Sequence, residues 1–161
     1  MTVEDYNNAV RNYADGLYRY VLKSIKYIHL AEDIVQDSYE KLWKNYKNVE
    51  ALKVKAYLYT TAYHTLIDYI RKEKKTMYSD KYELHAEGVE EKPSDLKEIL
   101  NEAVNRLPEI QRMVLLLRDY EGYSYQEIGE ITNLNESQVK VYIYRARLFL
   151  KKYIGKPEVV I

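Results

Sequence analysis

The chain has 161 residues, with 25 basic and 25 acidic side chains, three histidines and no cysteine. Hydrophobic residues make up 47% and charged residues 31%, which admits a buried core and argues against wholesale disorder. The missing cysteines exclude a disulfide-stapled scaffold and any Cys-ligated zinc or iron–sulfur site.

The length allows one ordinary domain or two small ones. Five glycines and three prolines suit helices better than strands turning every ten residues or so. Tyrosine is in excess, 19 copies against one Phe and one Trp. The opening residues 1–6 are polar and acidic, unlike a signal peptide. The apolar run at residues 113–117 is far too short to span a bilayer. The expectation is a soluble, cytoplasmic protein with no membrane insertion.

Helical periodicity runs along the chain. Tyr6, Val10, Tyr13, Leu17 and Val21 form one apolar stripe; Ala31, Ile34, Val35, Tyr39, Leu42 and Trp43 form a second. Leu58, Ala62, Leu66, Tyr69 and Ile70 form a third, ahead of the basic run at residues 71–75. From Thr76 to about Pro93 the periodicity stops, and the segment reads as an acidic linker. Ser94 is then an expected N-cap, with Leu96, Ile99, Leu100, Ala103 and Leu107 on one face. Pro108 suits the first turn of a further helix over residues 109–120, with Ile110, Met113, Val114 and Leu117 inward and Gly122 ending it. The predicted class is all-α: two small helical domains, residues 1–75 and 95–161, joined by an acidic linker over 76–94.

The last stretch carries most information. Ser124 with Glu127 fits a capping box for a short helix, and Asn135 with Gln138 is a similar N-cap pair for a longer one over about residues 136–152. Gly129 falls where two helices approach closely, and Asn133 falls in a tight turn, where a left-handed backbone favours it. Ile128, Leu134 and Val139 are spaced to fill the wedge between the helices. The pattern is a helix-turn-helix with a four-residue turn, whose second helix enters the major groove. Outward on that helix stand Ser137, Gln138, Lys140, Val141, Tyr144, Arg145 and Arg147, side chains that reach adenine edges, thymine methyls, guanine or phosphate. An α-hairpin with a solvated basic face is the plainer alternative.

Two other faces stand open between a function and simple solvation. The third helix turns out Tyr57, Thr60, Thr61, His64, Asp68, Arg71 and Lys75, a mixture suited to single-stranded nucleic acid. The second turns out Asp33, Gln36, Asp37 and Glu40, an acidic face that fits a basic partner. Catalytic patterns are missing: no phosphate loop, no H-E-x-x-H, no Cys nucleophile, and His29, His64 and His85 lack metal-ligand spacing. No enzyme, metal or cofactor is expected.

Four motifs in order resemble the extracytoplasmic-function group of bacterial sigma factors. They are Ala31-Glu32-Asp33-Ile34-Val35-Gln36-Asp37; Lys55-Ala56-Tyr57-Leu58 ending in Ile67-Asp68-Tyr69-Ile70-Arg71; Leu107-Pro108-Glu109-Ile110-Gln111-Arg112; and Glu121-Gly122-Tyr123-Ser124 followed by Arg145-Ala146-Arg147. The resemblance covers roughly residues 10–75 and 98–153. It implies a factor that binds core RNA polymerase and directs promoter-specific initiation. Asp33, Gln36, Asp37 and Glu40 would meet the β′ clamp helices, and the second domain the β flap. Tyr57, Thr60, Thr61, Tyr63, His64, Asp68, Arg71 and Lys72, with the loop near residues 49–55, would capture the melted minus-ten element of promoter DNA. Ser137, Gln138, Lys140, Val141, Tyr144, Arg145 and Arg147 would read the minus-thirty-five duplex, and an anti-sigma factor is an expected partner.

The chain departs from the family at Tyr63-His64, where Arg-Asn is frequent, and at Gln138, Val141 and Tyr142, where Thr, Ser and Arg are frequent. An unusual promoter preference is therefore expected. A conventional helix-turn-helix regulator is the runner-up, and a helical adaptor without DNA contacts the third reading; the A-E-D-I-V-Q-D motif speaks against the former. The zero net charge hides a segment over 76–105 with eight acids and three bases, flanked by basic stretches. Such a balance suits a factor that relies on polymerase to bind DNA.

Overall fold

The computed structural model describes residues 1–76 and 96–155, and among these every regular element is helical. The expected acidic linker, the Ser94 cap and the tail after Gly155 lie outside the described residues. The chain divides into two compact units, residues 1–88 and 89–161.

The first unit is a three-helix assembly: α1 (Val3–Ile25), α2 (Ile28–Asn45) and α3 (Val54–Thr76), each packed on the other two. A capping box starts α1: the Thr2 hydroxyl accepts from Asp5 N–H, and the Asp5 carboxylate accepts from Thr2 N–H. That backbone hydrogen bond holds the Asp5 carboxyl below its usual range. Two short 3₁₀ turns, Tyr46–Asn48 and Ala51–Lys53, link α2 to α3.

The core of this unit holds Leu17, Val21, Ala31, Ile34, Leu42, Leu58, Ala62 and Leu66. Four tyrosines join them: Tyr20, Tyr39, Tyr59 and Tyr63. Tyr20 and Tyr59 meet ring to ring at 5.4 Å, and the Tyr39 hydroxyl donates to the Ala9 carbonyl at 3.0 Å. At Tyr39 the buried ring serves as a phenylalanine would, and its hydroxyl is given a partner. Burial pushes the Tyr39 phenol well up. The hydroxyls of buried Ser24 and Ser38 donate to the carbonyls of Tyr20 and Ile34, both at 2.8 Å, so these polar atoms cost the core little.

The second unit is built around α7 (Glu136–Ile154), on which α4 (Leu96–Asn105), α5 (Glu109–Leu115) and α6 (Tyr125–Thr132) all pack. Met113, Val114, Leu115, Leu116, Leu117, Ile128, Val139 and Ile143 form its core. Arg112 of the L-P-x-x-x-R motif is 5% exposed and points inward. Its guanidinium donates to the carbonyls of Asn105 and Leu107, at 3.2 and 2.9 Å, and so caps the end of α4 with a cation. The motif residue is thus a structural clamp between α4 and α5.

Several expectations need correction. Helix α5 does not run regularly to Tyr120: a π turn, Leu116–Tyr120, widens its end, and Gly122 at φ 80° reverses the chain there. Three apolar residues expected on inward stripes are exposed: Val10 (37%), Trp43 (48%) and Leu96 (65%). Leu96 opens α4, and the first buried residues of that helix are Ala103 and Val104. Val10 lies beside the buried Ala9, which takes the inward position in that turn.

Candidate nucleic-acid interface

The helix-turn-helix forms as the residue types demand. Ser124 and Glu127 make a reciprocal capping box at α6, with bonds of 3.1 and 2.8 Å. Asn135 and Gln138 make another at α7, with bonds of 2.8 and 3.1 Å. The turn is three residues, 133–135, one shorter than expected. Asn133 stands at φ 63°, the left-handed conformation that ends α6. A β-carbon added to Gly129 would lie 3.0 Å from the Leu134 carbonyl oxygen, so any larger residue would have to push the turn back, and glycine lets it fold this closely without a shift. Ile128 and Val139 are fully buried and Leu134 half-buried, which seats α7 on α6.

Seated this way, α7 turns Ser137, Gln138, Lys140, Val141, Tyr144, Arg145 and Arg147 to solvent. Two of them are already engaged. The Gln138 side-chain oxygen accepts the Asn135 N–H, so its amide is tied to the start of the helix. Arg147 reaches back to the π turn, where its Nη2 and Nε donate to the two Asp119 carboxylate oxygens at 2.6 and 3.2 Å. These bonds raise the guanidinium's proton affinity further and hold its charge beside an acid. The sequence predicts base or phosphate contacts for both residues; in the structure each also has an intramolecular partner.

Tyr125, the first residue of α6, gathers cations: the Arg118 guanidinium lies 4.5 Å from the ring centre and the Lys140 ammonium 5.7 Å. Arg118 also donates to the Tyr123 carbonyl at 3.0 Å. Lys140 has Glu136 at 4.0 Å, a wide and exposed pair.

On α3, His64, Asp68, Arg71 and Lys72 are exposed, and Tyr57, Thr60 and Thr61 are half-buried. Tyr63 departs from expectation: it is 4% exposed, with its ring in the core and the His64 ring edge-on to it at 5.4 Å. A base has no open face of Tyr63 to stack on in this conformation. At the tip of the preceding loop, Leu52 is 98% exposed.

On α2, Asp33, Gln36 and Glu40 are exposed and Asp37 half-buried, all along one face. Asp37 pairs with Lys41 at 3.0 Å. Sequence reasoning missed how this face continues. Trp43, three residues after Glu40, lies 5.0 Å from the Tyr6 ring and stacks on Tyr46 at 5.2 Å. Tyr6, Asn7, Glu40, Trp43 and Lys44 line an open cleft of about 420 Å³ beside the acids. The i+3 step from Glu40 was the available signal, but tryptophan's hydrophobicity placed it inward.

Two family models match in order: Sigma-70 region 2 over residues 9–76 and Sigma-70, region 4 over residues 97–150. The ECF RNA polymerase sigma factor SigM of Bacillus subtilis is 31% identical over 144 residues, which cover 86% of this chain and 88% of that protein. The chain belongs to the ECF sigma factor family. Another relative, RNA polymerase sigma factor SigV of Bacillus subtilis, is 30% identical over 152 residues, covering 92% of this chain and 90% of that one. The fold matches the sigma factor RpoE of Bartonella quintana, solved with the anti-sigma factor NepR, at a TM-score of 0.79 and 22% identity, over 96% of this chain and 99% of that one.

This sigma factor is therefore a polymerase-binding transcription initiation factor, with a region 2 unit and a helix-turn-helix region 4 unit. Among the described residues no helix is long and apolar enough to cross a membrane.

Proposed function

We propose that the two units divide promoter recognition and polymerase binding by face. Residues 1–75 meet the polymerase β′ clamp helices through Asp33, Gln36, Asp37 and Glu40, with Trp43 and Tyr6 extending the contact. The support for this is a largely exposed acidic strip on α2 that runs into the unburied ring of Trp43, packed beside Tyr6 of α1; exposed aromatic rings of this kind are enriched at protein interfaces.

The same unit takes the melted minus-ten strand. The loop around residues 49–55 and the exposed His64, Asp68, Arg71 and Lys72 face it, with Tyr57, Thr60 and Thr61 beside them. Residues 95–161 bind the β flap and read the minus-thirty-five duplex with α7. Residues 76–94 join the units as an acidic connection through the polymerase. A factor that acts on DNA with core polymerase works in the cytoplasm, and an anti-sigma factor holds it in reserve there, as NepR accompanies the RpoE relative.

The deciding experiment mixes the full chain with core RNA polymerase and a pool of genomic promoters and reads run-off transcripts. Discrete start sites support the division of labour. Tight duplex binding by the chain alone, with no initiation, would instead favour a conventional regulator.

A further inference from the structure

The outward line of α7 is not basic along its centre. Ser137, Val141, Tyr144 and Leu148 follow at steps of four, three and four, which places them on one ridge of a 3.6-residue helix. Val141 is 43% exposed, Tyr144 66% and Leu148 39%. The ridge lies opposite Val139, Ile143 and Ala146, the residues that seat the helix. Cations stand on both flanks: Lys140 and Lys151 on one side, Arg145 and Lys152 on the other, all exposed. Among the 19 residues of α7 there are five bases and one acid, Glu136.

A protein partner would be matched by an apolar ridge with mixed charges around it. An apolar ridge between two rows of cations matches the major groove, where base edges lie between two phosphate backbones. The groove offers one apolar group on its floor, the C5 methyl of thymine. The polar alternatives for base reading are reduced here, because the Gln138 oxygen serves the Asn135 N–H and Arg147 is bound by Asp119. Residues near the start of a recognition helix approach the bases most closely, which favours Val141 and Tyr144 over Leu148.

We propose that this sigma factor reads its upstream duplex element chiefly through thymine methyl groups, with Val141 as the specificity-determining contact and Tyr144 beside it. Lys140 and Arg145 bind phosphates on either side and carry no sequence information. The inference rests on the reading that α7 enters the duplex.

The test uses holoenzyme assembled from core RNA polymerase and the full chain. Promoters are selected from a pool randomised in the upstream element. Each selected thymine is then replaced by uracil, which lacks only the methyl group. Loss of a buried methyl contact should weaken holoenzyme binding about fourfold per contacted position. In the Val141→Ala variant, one of these replacements should lose most of its effect; if every uracil keeps its full effect, Val141 is not the contact. Because the uracil arm uses the unaltered chain, a folding defect in the variant does not decide the matter. If scrambling the element weakens binding but uracil does not, methyl reading is wrong while duplex reading by α7 stands. If scrambling the element changes nothing, duplex reading itself fails and the inference with it.

Discussion

Asp119 grips Arg147 at two points, 2.6 and 3.2 Å, across 28 residues of sequence. The acid comes from the π turn that ends α5, and the base from the middle of α7. Arg147 is half-exposed, yet its fork is filled by a carboxylate, so it is poorly placed to neutralise a phosphate. Arg147→Ala should leave the salt dependence of holoenzyme binding to promoter DNA unchanged. Arg145→Ala should reduce that slope by about one. A reduced slope in Arg147→Ala would show that the pair opens on DNA. Because the pair is near the surface, losing it should cost under about 1 kcal/mol of stability.

The turn between α6 and α7 makes opposite demands on two residues. Gly129→Val drives a branched side chain against the Leu134 carbonyl and should destabilise the second unit by about 1–3 kcal/mol. Asn133→Gly should be tolerated, since φ 63° suits glycine. Asn133→Val should cost at least about 1–2 kcal/mol at the same position. Chemical denaturation of the three variants separates them, and equal midpoints would contradict the geometry.

Gln138 should behave as a cap rather than a reader of bases. Gln138→Glu keeps an acceptor for the Asn135 N–H and should hold the melting point. Gln138→Ala should lower stability by about 0.5–1 kcal/mol without changing the promoters selected. A changed promoter set in Gln138→Ala, at unchanged stability, would assign it to DNA.

Asp37→Lys reverses a charge in the middle of the proposed polymerase face and sets two cations, with Lys41, one helical turn apart. Like charges at that spacing cost the helix only about 0.2–0.5 kcal/mol, so circular dichroism should report an unaltered fold. Affinity for core polymerase should fall at least tenfold. Unchanged affinity would move the clamp contact to another face.

Local chemistry made much of this fold legible in the sequence. Asn133 announced a left-handed turn because few other residues tolerate one, and the Ser124–Glu127 and Asn135–Gln138 pairs announced helix starts through their own hydrogen bonds. The α2 acids announced an exposed face through their spacing. The features that stayed hidden depend on contacts distant in sequence. Nothing near Arg147 points to Asp119, and nothing near Tyr63 says that its ring fills the core while Trp43 stays outside. Tyrosine and tryptophan join an apolar ring to a polar atom, so periodicity alone leaves their direction open. In a chain with 19 tyrosines that ambiguity recurs many times.

The π turn has a meaning for how such a chain can change. A helix that closes on the fifth residue rather than the fourth holds one residue more than a regular turn needs. Deleting one residue within Leu116–Tyr120 would let α5 continue as a regular helix and leave the downstream chain in nearly the same phase, because the wider turn already absorbs the extra residue. The added residue behaves like slack taken up within a single turn: the chain can gain or lose it there while α6 and α7 keep their alignment.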